Sequence, residues 1–140
     1  MTFTRLACAS IAVPSIADAL PSFTDGLGMR IHGEVRTSRR GYGLRWVELG
    51  NDNGPMIELI EPTGDGGPVR KFLDRPGSSR IYQIRFYTDD LDHTLNEAAR
   101  RGVRVLRGPD VEGEPRLGFI HPAGTGGALI EVMEVQEKAR

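Results

Sequence analysis

The chain repeats itself, and an internal repeat narrows the possible folds more than any other feature of its sequence. The segment from Cys8 to Glu61 and the segment from Gln83 to Glu134 follow one plan: an apolar strand, a helix opened by Ser or Asp, a glycine turn, then strands ending in an acidic tail. Ser15-Ile-Ala-Asp-Ala-Leu answers to Asp90-Leu-Asp-His-Thr-Leu, and Gly28-Met-Arg-Ile to Gly102-Val-Arg-Val. The tails are Ile57-Glu-Leu-Ile-Glu and Ile130-Glu-Val-Met-Glu. The offset between partners stays nearly constant from Ser15 and Asp90 through Gly28 and Gly102 to Glu58 and Glu131, so the match keeps register. Two copies of one module set equivalent residues around a shared pocket, which is where chemistry is expected.

Local signals divide each copy into elements. Ser15 with Asp18 three positions on has the form of a capping box, and Ile16, Leu20, Phe23 and Leu27 follow at helical spacing. This predicts a helix from Ser15 to Gly26, closed by Gly26 and Gly28. A second helix opens at Asp89 or Asp90, carries Leu91, Leu95 and Ala98 on one face, and ends at Arg100-Arg101-Gly102, where cations suit the helix dipole. Further strands are expected near Arg30–Glu34, Leu44–Leu49, Val103–Leu106 and Leu117–His121, so each half reads βαβββ. The fold class is therefore α+β. Modules of about 4–62 and 80–135 are joined by a linker, 63–79, rich in Gly and Pro at first and then carrying a short helix, Val69–Leu73. At 140 residues the whole chain, 1–140, is expected to form a single domain.

The charge balance excludes some partners. With 18 basic and 19 acidic residues, a net of −1, there is no electrostatic footprint for nucleic acid or an anionic membrane, and a small-molecule substrate is expected instead. The apolar start, Leu6–Val13, has only Arg5 before it and stops at Pro14; because the repeat pairs it with a later strand, it reads as a strand and not a leader. No run is long enough to span a bilayer. The lone cysteine, Cys8, excludes an internal disulfide, and a cytoplasmic location is expected.

Strand alternation sorts the candidates. Ile57 and Leu59, like Ile130 and Val132, form fully apolar faces fit for a helix to cover, while Glu58 and Glu131 stand mid-strand on the opposite faces. Gln83, Arg85 and Tyr87 are expected on the second face of their strand, with Tyr82, Ile84 and Phe86 on the helix side; Cys8, Ser10 and Ala12 share the second face in the first module. A buried carboxylate without a partner is too costly to persist, so Glu58 and Glu131 must be paired, protonated, metal-bound or solvated in a cleft. Glu131 reads either as a general base or as the neutraliser of Arg85, and Glu58 has the same two readings. Arg85 balances the glutamates, holds a substrate anion or stabilises an enolate. Gln83 is a ligand or a hydrogen-bond spacer, and Cys8 a small packed side chain. Arg39 and Arg40 lie in a loop that reads either as the rim of the pocket or as a solvated turn. His121, before Pro122, touches a ligand or bonds the local backbone.

These stretches resemble the vicinal oxygen chelate superfamily, and within it the methylmalonyl-CoA epimerase branch most of all. The shared segments include Ile11-Ala-Val13, Ile57-Glu-Leu-Ile-Glu-Pro62, Phe86-Tyr-Thr-Asp-Asp90 and Phe119-Ile-His-Pro-Ala-Gly-Thr-Gly-Gly-Ala-Leu-Ile-Glu131. The resemblance implies two βαβββ modules forming a half-open barrel around a divalent metal, and a homodimer. Carried over by position, the metal ligands fall on Glu58, Gln83 and Glu131, with Cys8 as the fourth; the epimerases have histidine where this chain has Cys8 and Gln83. Oxygen donors of this kind suit a hard cation such as Mg²⁺. The epimerases' catalytic loop glutamate has Arg39 as its equivalent here, which leaves Glu131 as the obvious base. The expected activity is that of an isomerase or lyase moving a proton at the α carbon of a small carbonyl compound or acyl-CoA thioester. The alternative is a metal-free small-molecule binding protein, like the antibiotic-sequestering members of the superfamily.

Overall fold

The computed structural model of the chain describes residues 3–77 and 79–136; residue 78, inside the expected linker, lies outside them. The element order is β1 (Phe3–Ala12), α1 (Ile16–Pro21), β2 (Arg30–Thr37), β3 (Leu44–Asn51), β4 (Gly54–Pro62), α2 (Pro68–Leu73), β5 (Ile81–Thr88), α3 (Leu91–Arg100), β6 (Val105–Arg107), β7 (Leu117–Ile120) and β8 (Ile130–Glu134). The class is α+β, and both halves have the βαβββ order that the repeat predicts. Two compact units are present, Cys8–Tyr82 and Met1–Ala7 with Gln83–Arg140. Among the described residues no helix is long and apolar enough to cross a membrane.

In the first unit the strand order is β2-β3-β4-β1. β3 and β4 form an antiparallel pair and β4 runs parallel to β1, with Val47 opposite Leu59 and Leu59 opposite Ile11. Those residues line one face together with Ile57 and Leu49, and α1 covers it through Ile16, Ala19 and Leu20. Full burial of side chains such as Leu49 and Leu59 contributes about 1.5–3 kcal/mol each. On the opposite face α2 packs Val69 and Leu73 against Ala12 and Ile60, and half-buried Trp46 completes this second cluster.

The predicted helix from Ser15 to Gly26 is only partly regular. Its start is as expected, Ser15 accepting from the Asp18 N–H at 3.2 Å. Pro21 sits inside the run and has no N–H to give, so the α-helix ends there and continues as a wider π turn over Ser22–Gly26, with the Leu27 N–H donating to the Ser22 carbonyl. Gly28, at φ +69°, closes the segment.

In the second unit the order is β5-β8-β7-β6, with β5 parallel to β8 and β8 antiparallel to β7. Asp90 caps α3 by accepting from the His93 N–H at 2.9 Å. Leu91 and Leu95 press onto Val132, flanked by Ile130, Ile120 and Val105. Gly118 of β7 makes that approach possible, since a Cβ there would lie 2.7 Å from Leu95 Cδ1 and 2.9 Å from the Leu106 carbonyl. Phe86 packs on Phe3 with ring centroids 5.1 Å apart. Tyr82 meets Phe72 of α2 edge-on, ring centroids 5.2 Å apart.

The repeat also explains the second glutamate of each tail. Residues three apart on a strand point to opposite faces, so Glu61 and Glu134 turn toward the helices while Glu58 and Glu131 turn away. Glu61 accepts from the Ile16 N–H at 2.8 Å and Glu134 from the Leu91 N–H at 2.8 Å, each satisfying the first turn of its module's helix. Glu61 is also ion-paired with Arg45.

Candidate active site

In the second module the carboxylate, the amide and the guanidinium come together. Gln83 and Arg85 alternate onto one face of β5, and the parallel register sets Arg85 directly opposite Glu131 on β8. Gln83 Nε2 donates to Glu131 Oε2 at 2.8 Å, and Arg85 Nε donates to Glu131 Oε1. All three residues are buried, between 5% and 7% exposed. A carboxylate so enclosed is tolerable because each oxygen has a donor and the neighbouring guanidinium balances its charge. Each oxygen also keeps a second lone-pair direction.

The first module offers a different set. Glu58 is buried, and Ser10 Oγ donates to its Oε1 at 3.0 Å. Across the strands Ser10 lies opposite Glu58 on one side and Glu48 lies opposite it on the other. Cys8 is a buried free thiol two residues before Ser10 on β1. Ser10 and Glu48 were not among the site residues expected from sequence, although a signal existed for both. Ser10 shares Cys8's strand parity. Val47 and Leu49 turned toward α1 leave Glu48 only the face of Glu58.

The remaining candidates lie in loops. Arg39 is exposed in the bend between β2 and β3, where Ser38 Oγ accepts from the Arg40 N–H at 3.2 Å. His121 caps the short 3₁₀ turn Pro122–Gly124, its Nδ1 accepting from the Ala123 N–H at 3.0 Å, which is the backbone role open to it from sequence. Gly126 and Gly127, at φ +73° and +108°, then carry the chain into β8.

The surroundings of Glu131 do not favour a divalent metal there. Among the described residues no group of three or more His, Cys, Asp or Glu side chains is placed to hold one. Of the positions implied by resemblance, Glu131 already has one oxygen on a guanidinium and the other on the N–H₂ side of Gln83. A metal ion at Glu131 would face a fixed positive charge on the same carboxylate.

Comparison with known proteins gives consistent matches. The family model for the Glyoxalase/Bleomycin resistance protein/Dioxygenase superfamily matches residues 9–120. The ethylmalonyl-CoA/methylmalonyl-CoA epimerase of Cereibacter sphaeroides is 28% identical over 138 residues, covering 94% of this chain and 98% of that protein. The mitochondrial methylmalonyl-CoA epimerase of Homo sapiens is 27% identical over 131 residues, covering 91% of this chain and 72% of that protein. The crystal structure of methylmalonyl-CoA epimerase from Mycobacterium tuberculosis superimposes with a TM-score of 0.84 at 28% identity, covering 97% of this chain and 91% of that one.

Proposed function

We propose that this chain, which belongs to the Glyoxalase/Bleomycin resistance protein/Dioxygenase superfamily, is an isomerase-type enzyme that moves a proton at the α carbon of an acyl-CoA thioester. The observation that carries the proposal is the buried Glu131 held between Gln83 and Arg85. The names of the relatives, epimerases of methylmalonyl-CoA and ethylmalonyl-CoA, support the thioester class. Glu131 takes the α proton, the C–H electron pair passes into the carbonyl as an enolate, and the positive charge of Arg85 offsets the charge that develops. Delivery of a proton to the opposite face of the enolate carbon, from solvent or a second acid, completes the isomerisation, and Glu131 then gives its proton up to solvent. Gln83 keeps the carboxylate in one orientation while this happens. Glu58, bonded to Ser10, is the candidate acid of the first module, and Glu58→Gln tests it separately.

The experiment is incubation with methylmalonyl-CoA or ethylmalonyl-CoA in D₂O, followed by mass spectrometry of the thioester. Wild-type protein introduces deuterium at the α carbon, and Glu131→Gln lowers the rate about 10²–10⁴-fold, the usual contribution of a positioned base. Unchanged exchange in Glu131→Gln rejects that residue as the base. Tight binding of a ligand with no exchange would place the chain with the sequestering proteins of the superfamily.

A further inference from the structure

We infer that Arg85 replaces the divalent cation: its guanidinium is the permanent positive charge of this site, and Glu131 binds no metal. The first ground is occupancy, because Glu131 Oε1 accepts from Arg85 Nε and Oε2 accepts from Gln83 Nε2. A metal bound at Glu131 would have to displace one of these donors or share the carboxylate with a like charge. Displacement is unfavourable, since it would break a charge-assisted hydrogen bond between two buried side chains. Nor can the conflict be relieved by deprotonation, because a guanidinium stays charged throughout the working pH range.

The second ground is the orientation of Gln83. It turns its N–H₂ group, not its oxygen, to Glu131 Oε2, so toward this carboxylate it acts as a hydrogen-bond donor and not as a fellow metal ligand. The third is register. Arg85 is opposite Glu131 in the β5–β8 ladder, so the backbone pairing itself fixes the cation beside the carboxylate. A guanidinium held in this way cannot be removed by a chelator, and it supplies a planar donor group where a metal would supply a point charge.

The metal half of the inference is independent of the substrate, whereas the catalytic half rests on the reading above. The full chain is treated with a chelator, dialysed, and titrated with Mn²⁺, followed by loss of the free-ion resonance, and with Mg²⁺ and Co²⁺ by calorimetry. No stoichiometric uptake is expected at Glu131. Uptake of one ion per chain that disappears in Glu131→Gln overturns the inference, while uptake that persists in Glu131→Gln lies elsewhere and leaves the Arg85–Glu131 pair intact. For catalysis, wild-type exchange should be unaffected by chelator, and exchange lost in Arg85→Ala should return with added guanidine but not with Mn²⁺. Rescue by Mn²⁺ and not by guanidine would overturn it. If the wild type exchanges no deuterium at all, the proposed activity fails, but the metal titration still decides the role of Arg85.

Discussion

Removing Arg85 should expose how much of this protein's stability depends on one ion pair. The perturbation is Arg85→Met, which keeps much of the side-chain volume and deletes the charge. Glu131 is left buried with Gln83 as its donor, and losing one partner of a buried pair costs about 3–5 kcal/mol. That is a large share of the roughly 5–15 kcal/mol that separates a folded domain from its unfolded chain. With a urea dependence of about 2 kcal/mol per M for a chain of this size, the midpoint falls by about 2 M. Glu131→Gln keeps one acceptor oxygen and replaces the other with an N–H₂ group, so one of the two donors loses its acceptor, and it should cost about 1.5–3 kcal/mol. Arg85 also interacts elsewhere, so the single substitution includes those losses. A double-mutant cycle cancels them. Arg85→Met with Glu131→Gln removes both charges of the pair, and its cost should fall short of the sum of the singles by about 2–3 kcal/mol. The assay is equilibrium urea unfolding followed by circular dichroism. Additivity within about 0.5 kcal/mol would refute the argument, because it would mean that the two groups do not depend on each other.

Three other outcomes follow from the packing and electrostatics. Gly118→Ala forces a Cβ into Leu95 and the Leu106 backbone and should destabilise by about 1–3 kcal/mol, measured as a lower thermal midpoint; an unchanged midpoint would mean that α3 shifts freely on β7. Glu61→Ala deprives the Ile16 N–H of its buried acceptor and should cost about 1–3 kcal/mol in the same assay, whereas no loss would show that water replaces it. The Asp92 carboxyl is held below its ordinary value of 3.8 by hydrogen bonds from Arg116 and then Arg107. Its contribution to stability is therefore present above that ordinary value and is lost as pH falls through the lower folded value. Asp92→Asn should flatten the acid limb of a stability–pH curve, and an unaltered limb would count against the pairing.

Features governed by neighbours in the chain were legible from the sequence. Ser15 and Asp90 cap their helices because an N-cap acts within three residues, and the faces of Glu58 and Glu131 follow from strand parity. Where that local reasoning went wrong, a local rule had been missed: Pro21 ends the regular part of α1. The roles that escaped depend on distant partners. Glu61 reaches Ile16 across 45 positions and Glu134 reaches Leu91 across 43, so two acids that look alike in the tails as Glu58 and Glu131 do turn out to be helix caps. The face of Glu48 follows from strand parity, but its place opposite Glu58 is set by the pairing of β3 with β4.

By itself the amino-acid order determined the duplicated βαβββ plan and which face each acidic residue occupies, because both follow from periodicities of two and 3.6 residues along a continuous backbone. It left open whether Glu131 meets a metal, a proton or a guanidinium. Only the β5–β8 register set Arg85 beside Glu131, bringing the guanidinium within hydrogen-bonding reach across 46 positions. Which charges become neighbours at that separation is set by how strands align in space, and no local preference of the chain encodes it.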